Sequence, residues 1–375
     1  MILSDRILSS RTLSGTILAD RGRRSNHAGA RNQEHAHRAS PLIRVALAIA
    51  LVSALSPFSL AAKRKRAAVS DTTANAILWT DPGDIQSRNL YYGLGGKAHQ
   101  PQPPVKFLRE DLSATNPKFD VRDQAGKKWK AKLGIEVQPE TVATRLLWAV
   151  GYFANENYFF PELKVEDLPP RLTRGQEFVG CDSEVKGVRL QRHPADKKNA
   201  GNWNWHKNPF TGTREFNGLR VMMALLNNWD LKDENNAIFP DPDNPENKIY
   251  EVTDVGSSFG AAGESYSNKR SKGNLPAYRH SKFISKVSRD HVDFNFPTHL
   301  PFLYIFNAPH FFSELHNRSI GKHIPRGDVR WIGSLLAQLT SDQIRDAFRA
   351  GGYSRDEIEA YATAVEKRIA DLSKL

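Results

Sequence analysis

The sequence predicts an α+β fold in two lobes: a small, strand-rich N-terminal lobe and a larger, mainly helical C-terminal lobe. Three observations carry that expectation. Between residues 105 and 133 short apolar runs alternate with polar residues and are separated by turn-forming segments, the pattern of neighbouring strands. Beyond residue 216 apolar residues recur at helical spacing in several longer segments. At 375 residues the chain is long enough to bury more than one core.

The elements follow in order. Residues 105–109 read as a first strand, 113–118 (Ser-Ala-Thr-Asn-Pro-Lys) as a turn and 119–122 as a second strand. Gln124, Ala125, Gly126 and Lys127 are hairpin material. Residues 129–133 form a third strand that alternates outward lysines with inward residues. Pro139 near the start and Gly151 at the end frame a helix over 140–151, with Val142, Leu146, Leu147 and Val150 at helical spacing. Residues 185–191 supply another strand. A polar loop with Trp203, Trp205 and Pro209 leads to a strongly apolar helix over 216–227. Short strands at 237–239 and 249–252 flank an Asp/Pro/Asn turn. After Gly256 a Gly-, Ser- and Lys-rich stretch runs to Asn274, and the remainder reads as mostly helical. It closes with helices over 329–338, 341–350 and 354–372, the last two with Ser341 and Ser354 as N-caps. The N-terminal lobe is therefore expected at 105–192 and the C-terminal lobe at 193–375, with 67–104 as a partly ordered lead-in. Glycines 93, 95 and 96 in that lead-in read as a surface turn, because Pro101, Pro103 and Pro104 follow where a strand would have to begin.

Charge is unevenly spread. Residues 1–66 hold 12 Lys and Arg against 3 Asp and Glu, and the other 309 residues hold 41 against 38, so the body is nearly neutral despite the net +12. That excludes a nucleic-acid-binding surface as the reason for the basicity. Residues 1–40 read as a disordered basic leader. Residues 41–66 read as a signal peptide or membrane anchor. The apolar run 45–62 follows Arg44, ends in small residues at 59–62 and is just long enough to span a bilayer. An exported or membrane-anchored protein is expected from this segment, which would contact membrane or export machinery. A cytoplasmic location is the alternative, since Lys63-Arg64-Lys65-Arg66 follows at once. The single cysteine, Cys181, rules out an internal disulfide and reads as a small buried hydrophobe.

The chemistry concentrates after the apolar helix. Residues 229–236 read Trp-Asp-Leu-Lys-Asp-Glu-Asn-Asn, and one strand–turn–strand later comes Thr253-Asp254-Val255-Gly256. That connection would return Asp254 beside Asn235. Two oxygen ligands on adjacent strand ends suit Mg²⁺, with water and phosphate oxygens completing an octahedron. Asp230 would then stand near an attacking hydroxyl. A cation for nucleotide phosphates is expected from an upstream strand, and Lys132 is the best placed, with Glu140 in the following helix to hold it. Lys130 shares its strand face, and Glu136 is another possible partner. His291, His299, His310, His316 and His323 lack a metalloprotease-type spacing and read as structural hydrogen-bonding residues.

Asp230-Leu231-Lys232 with Asn235, followed by Asp254-Val255-Gly256, resembles the protein-kinase-like superfamily. The turn at 113–118 is similar to the phosphate loop of its HipA-like branch, which shares a two-lobed fold with the phosphatidylinositol 3/4-kinase-like enzymes. The resemblance covers roughly 105–260. It implies a two-lobed protein-kinase-like fold and an ATP- and Mg²⁺-dependent phosphotransferase. In such an enzyme Asp230 would be catalytic, Asn235 and Asp254 would hold the metal, Lys132 would be the nucleotide lysine and Glu140 its partner. Ser113, Thr115, Asn116 and Lys118 would cover the phosphates, and Lys232 would lie near the γ-phosphate. The implied acceptor is a hydroxyl on a protein, a lipid head group or a sugar. A catalytically silent binding module and a nucleotidyl transferase remain as alternatives on the same fold. Asn228-Trp229 replaces the family's His-Arg, Val255 replaces its Phe, and no Ala-Pro-Glu follows Asn274.

Overall fold

The structure is a computed structural model that describes residues 75–113, 116–193, 199–261, 271–296 and 317–375. The leader, the apolar run 45–62 and Thr115 lie outside the described residues. Among those described, no helix is long and apolar enough to cross a membrane.

A closed five-stranded barrel, in the order β2-β3-β4-β6-β5, occupies the first half. Its strands are β2 (Val105–Glu110), β3 (Lys118–Arg122), β4 (Lys128–Lys132), β5 (Asn157–Glu166) and β6 (Glu184–Arg192). All neighbours are antiparallel except β2 and β5. The interior follows from the period-2 alternation of the pleat. Phe119, Val121, Trp129, Ala131, Val188 and Leu190 are among the side chains that fill it. β5 was not expected, because Pro161 interrupts an otherwise aromatic and β-branched run. Pro161 is exposed and stands between the Phe160–Val188 and Glu162–Lys186 pairs, short of the Val165 position where β2 joins. Its missing N–H therefore costs the ladder little.

Between β4 and β5 runs α1 (Val137–Ala149). Its apolar face, with Val142, Leu146 and Leu147, does not belong to the barrel core but to a second, larger hydrophobic cluster. The chain leaves α1 at Gly151, with φ +94, a left-handed value that glycine adopts freely. A Cβ there would stand 2.2 Å from the Thr80 carbonyl oxygen, so the close approach also needs glycine. The larger cluster also takes in Leu78, Ile85 and Leu90, so part of the expected lead-in is packed core. Ala76–Ile77 (β1) pairs in parallel with Lys248 and Ile249.

The second half is built on α2 (Arg214–Leu226), whose N-cap Thr213 accepts from the Phe216 N–H. Asn227 ends it in the left-handed conformation at φ 53. The hairpin β7 (Asn236–Pro240) and β8 (Lys248–Val252) follows. After α3 (Leu275–His280) comes a sheet of β9 (Ile284–Val287), β10 (His291–Phe294) and β11 (Ile324–Pro325). That sheet was not expected within the mostly helical remainder; its strands are only two to four residues long, too short to show an alternation. The chain closes with α4 (Arg326–Leu336), α5 (Ser341–Ala350) and α6 (Arg355–Ser373). Thr340, not Ser341, caps α5, in a capping box with Gln343, and Ser354 and Glu357 form the equivalent box on α6. Arg368 of α6 is buried and donates to the Ala224 and Leu225 carbonyls. A cation at those C-terminal carbonyls satisfies groups the helix cannot and suits its dipole. It also fixes the point from which residues 228–235 depart. Cys181, expected to be buried, is exposed.

Candidate active site

The register of the barrel determines the first half of the site. Lys132 pairs with Lys118 on β3 and with Arg189 on β6, so three cations lie side by side across three strands. Like charges directly opposite one another are unfavourable unless anions answer them. Glu136 and Glu140 do so: they are four residues apart at the start of α1 and so lie on one helical face. Lys132 Nζ lies 2.8 Å from Glu136 Oε2 and 2.9 Å from Glu140 Oε2. Arg189 Nη2 takes the other Glu140 oxygen at 3.0 Å. Burial disfavours the charge on Lys132, but Glu140, Asp254 and Glu136 outweigh it and hold the ammonium pKa above its ordinary value.

The second half comes from the β7–β8 hairpin. Asn236 pairs with Val252, and one residue on, the Thr253 N–H donates to the Asn235 carbonyl at 2.8 Å. Asn235 and Asp254 are thereby neighbours, joined also by an Asp254 N–H to Asn235 carbonyl bond of 3.3 Å. The Asn235 amide nitrogen donates to the Asp230 carbonyl at 2.7 Å, which ties Asp230 to the same corner and directs the amide oxygen the other way. Asp254 Oδ2 lies 3.6 Å from Lys132 Nζ, and its other oxygen accepts the Gly256 N–H at 3.2 Å. Burial alone would raise the Asp254 pKa; Lys132, the Gly256 N–H, Arg189 and Lys272 prevail and hold it below the ordinary carboxylate value. Asp254 nevertheless keeps 42% of its side-chain surface exposed, so it is open to a ligand. Gly256 has a steric reason to be glycine, since a Cβ would lie 2.8 Å from Glu136 Cβ.

The structure thus brings Lys132, Glu140, Asn235 and Asp254 together with Asp230. Lys232 pairs with Asp230 itself, Nζ to Oδ1 at 2.8 Å. Of the 113–118 turn, Asn116 reaches the cluster by donating to Glu136 Oε2. Ser113 does not: its hydroxyl and N–H both bond to Asp111 Oδ1. Lys118 lies 3.7 Å from Asp111 Oδ2, and burial lowers its pKa. Lys130 faces Asp111 and Asp120 at 2.5 and 3.1 Å, apart from the cluster. Two contributors were not assigned from sequence. Arg189 is visible only through strand pairing, and Lys272 only through the bonds of Ser271 and Gly273 to the Ala261 and Ser258 carbonyls. Glu136 was an alternative partner for Lys132 and turns out to be the hub.

Lys132, Asn116 and Lys272 all direct donors at the Glu136 carboxylate, the Lys272 Nζ at its Oε1. Lys272 also sits 5.6 Å above the Trp229 ring. Glu136, Glu140 and Asp254 place one carboxylate oxygen each within 4.8 Å of one another, a spacing that a cation can bridge. Cavities of about 930 Å³ beside α3 and α6 and about 1270 Å³ along the barrel are lined by residues outside this cluster.

No family model matches the chain, and no curated protein matches it. Among solved structures, the crystal structure of a Helicobacter pylori proinflammatory kinase, CtkA, is similar over 72% of this chain and 97% of that one, with 11% identity and a TM-score of 0.36. A likeness that remote carries no argument about function, which has to rest on the side chains.

Proposed function

We propose that the chain is an ATP- and Mg²⁺-dependent phosphotransferase with a two-lobed, kinase-like arrangement, transferring the γ-phosphoryl group to a hydroxyl acceptor. The observation that supports it best is the convergence of Lys132, buried and held charged by Glu140, on Asp254, which shares a strand end with Asn235. A buried lysine aimed at a carboxylate–amide pair is the donor set that a metal–polyphosphate requires. Asn235 and Asp254 would hold Mg²⁺, which neutralises charge on the phosphates when bound. Asp230 accepts the acceptor hydroxyl's proton or orients that hydroxyl, and Lys232, now on Asp230, turns to the transferred group. Catalysis is then positioning and electrostatic stabilisation.

Glu136 has a defined part in this reading. Its carboxylate presents to Lys132, Asn116 and Lys272 the kind of oxygens a phosphate would present. It is a stand-in anion that gives way when the nucleotide enters. Glu136→Gln removes the competing charge and is expected to tighten ATP–Mg²⁺ binding by roughly 1 kcal/mol, about fivefold in Kd. Weaker binding by calorimetry would instead make Glu136 part of the grip on the nucleotide.

Labelled ATP tests the reaction itself. Transfer of a γ-label to protein, lipid or sugar acceptors, or its release as phosphate, supports phosphoryl transfer. Transfer of an α-label identifies a nucleotidyl transferase. Neither transfer nor hydrolysis, in a protein that binds ATP, leaves a silent binding module.

A further inference from the structure

A second constellation of ligand-type residues lies on the β9–β10–β11 sheet. His291 and Asp293 are two apart in β10 and so face the same side of the sheet. The antiparallel pairing of Val292 with Ile324 sets Asp293 opposite His323, just ahead of β11. Two imidazoles and a carboxylate, His323 from thirty residues further along the chain than Asp293, therefore share one face. Their ligand atoms lie within 4.8 Å of one another, and the two rings are 4.9 Å apart between centroids.

Two hydrogen bonds prepare this group for a cation. Asp290 Oδ1 lies 2.7 Å from His291 Nδ1. An ionised carboxylate only accepts, so Nδ1 carries the proton and Nε2 is left as the basic ligand atom. A carboxylate behind a histidine in this way orients the ring and raises its basicity towards a metal. Asp293 Oδ1 accepts the His323 N–H at 2.8 Å, which holds His323 in place at a left-handed φ of 56.

We propose that His291, Asp293 and His323 form a binding site for a divalent transition metal of the zinc class, separate from the nucleotide cluster. Two nitrogens and one oxygen suit zinc-type ions and disfavour Mg²⁺ and Ca²⁺, which take oxygen ligands. Three protein ligands leave a coordination position for water or an external group. The ion would clip the end of β10 to the start of β11 across residues 294–322, a long connection whose closure is otherwise entropically unfavourable. β11 runs straight into α4, whose Asp328 bonds Asn217 of α2 at 2.7 Å, so the clip would brace the helix that leads to Asp230.

The test is titration of the full chain, freed of metal with a chelator, with Zn²⁺ by calorimetry, and with Co²⁺ by visible absorption. His323→Asn removes the imidazole while keeping a residue that tolerates the left-handed backbone. Wild type is expected to bind one more equivalent of Zn²⁺ than His323→Asn and to show a Co²⁺ visible band that the variant lacks. Asp290→Asn, an exposed change behind the ligand, is expected to weaken Zn²⁺ binding by about 10- to 100-fold. Equal stoichiometry and an unchanged Co²⁺ band in His323→Asn overturn the proposal, as does a wild type that binds no Zn²⁺. Should His323→Asn fail to fold, unchanged affinity in Asp290→Asn overturns it alone.

Discussion

Lys132→Met is expected to destabilise the fold by about 2–3 kcal/mol and to weaken ATP binding by about 10- to 100-fold. Lys132 is buried and answers two carboxylates that are themselves buried, Glu136 and Glu140. Removing one partner of a buried ion pair leaves the other desolvated and unpaired, which typically costs about 3–5 kcal/mol. The expected loss is smaller because Glu140 keeps Arg189 at 3.0 Å and Glu136 keeps Lys272 and Asn116. The affinity loss reflects one charge-assisted contact to phosphate. Urea unfolding and calorimetry measure the two effects separately. Unaltered ATP affinity in a folded Lys132→Met protein would remove Lys132 from the nucleotide site.

Asp230→Asn is expected to lower turnover by about 10²- to 10⁴-fold, the usual contribution of a positioned base, without changing the affinity for ATP–Mg²⁺. The main-chain geometry should survive, because the Asn235 amide bonds to the Asp230 carbonyl and the Asp230 N–H bonds to Asn228, neither through the carboxylate. What changes is the carboxylate opposite Lys232. Single-turnover measurements at saturating nucleotide separate this from a binding defect. A loss of affinity with turnover preserved would place Asp230 among the nucleotide contacts instead.

Much of this arrangement was legible in the sequence, for specific reasons. Lys132, Glu140, Asn235 and Asp254 are each set by local rules: strand alternation, first-turn helix position and the return of a hairpin. Those rules place side chains within one element or between adjacent ones. Arg189 joins the cluster through the pairing of β4 with β6, across more than fifty residues, and no local period announces that register. Lys272 arrives because its neighbours Ser271 and Gly273 bond back to Ala261 and Ser258, and β5 was hidden by Pro161. α1 was placed with the barrel because it follows the strands directly. Its Val142, Leu146 and Leu147 face the larger cluster instead, while Glu136 and Glu140 meet the barrel's outer face. One helix thus touches both, and that is how a carboxylate reaches Lys132. The histidines show the same limit: His291 and His323 meet only because β10 pairs with β11.

The central claim is that Lys132, Asn235 and Asp254 form one metal–nucleotide site. Calorimetric titration with ATP, with and without Mg²⁺, in the wild type and Asp254→Ala, tests it most directly. The account predicts that Mg²⁺ strengthens ATP binding in the wild type and that Asp254→Ala abolishes this dependence. Equal ATP binding by both proteins irrespective of Mg²⁺, or none by the folded wild type, would contradict it.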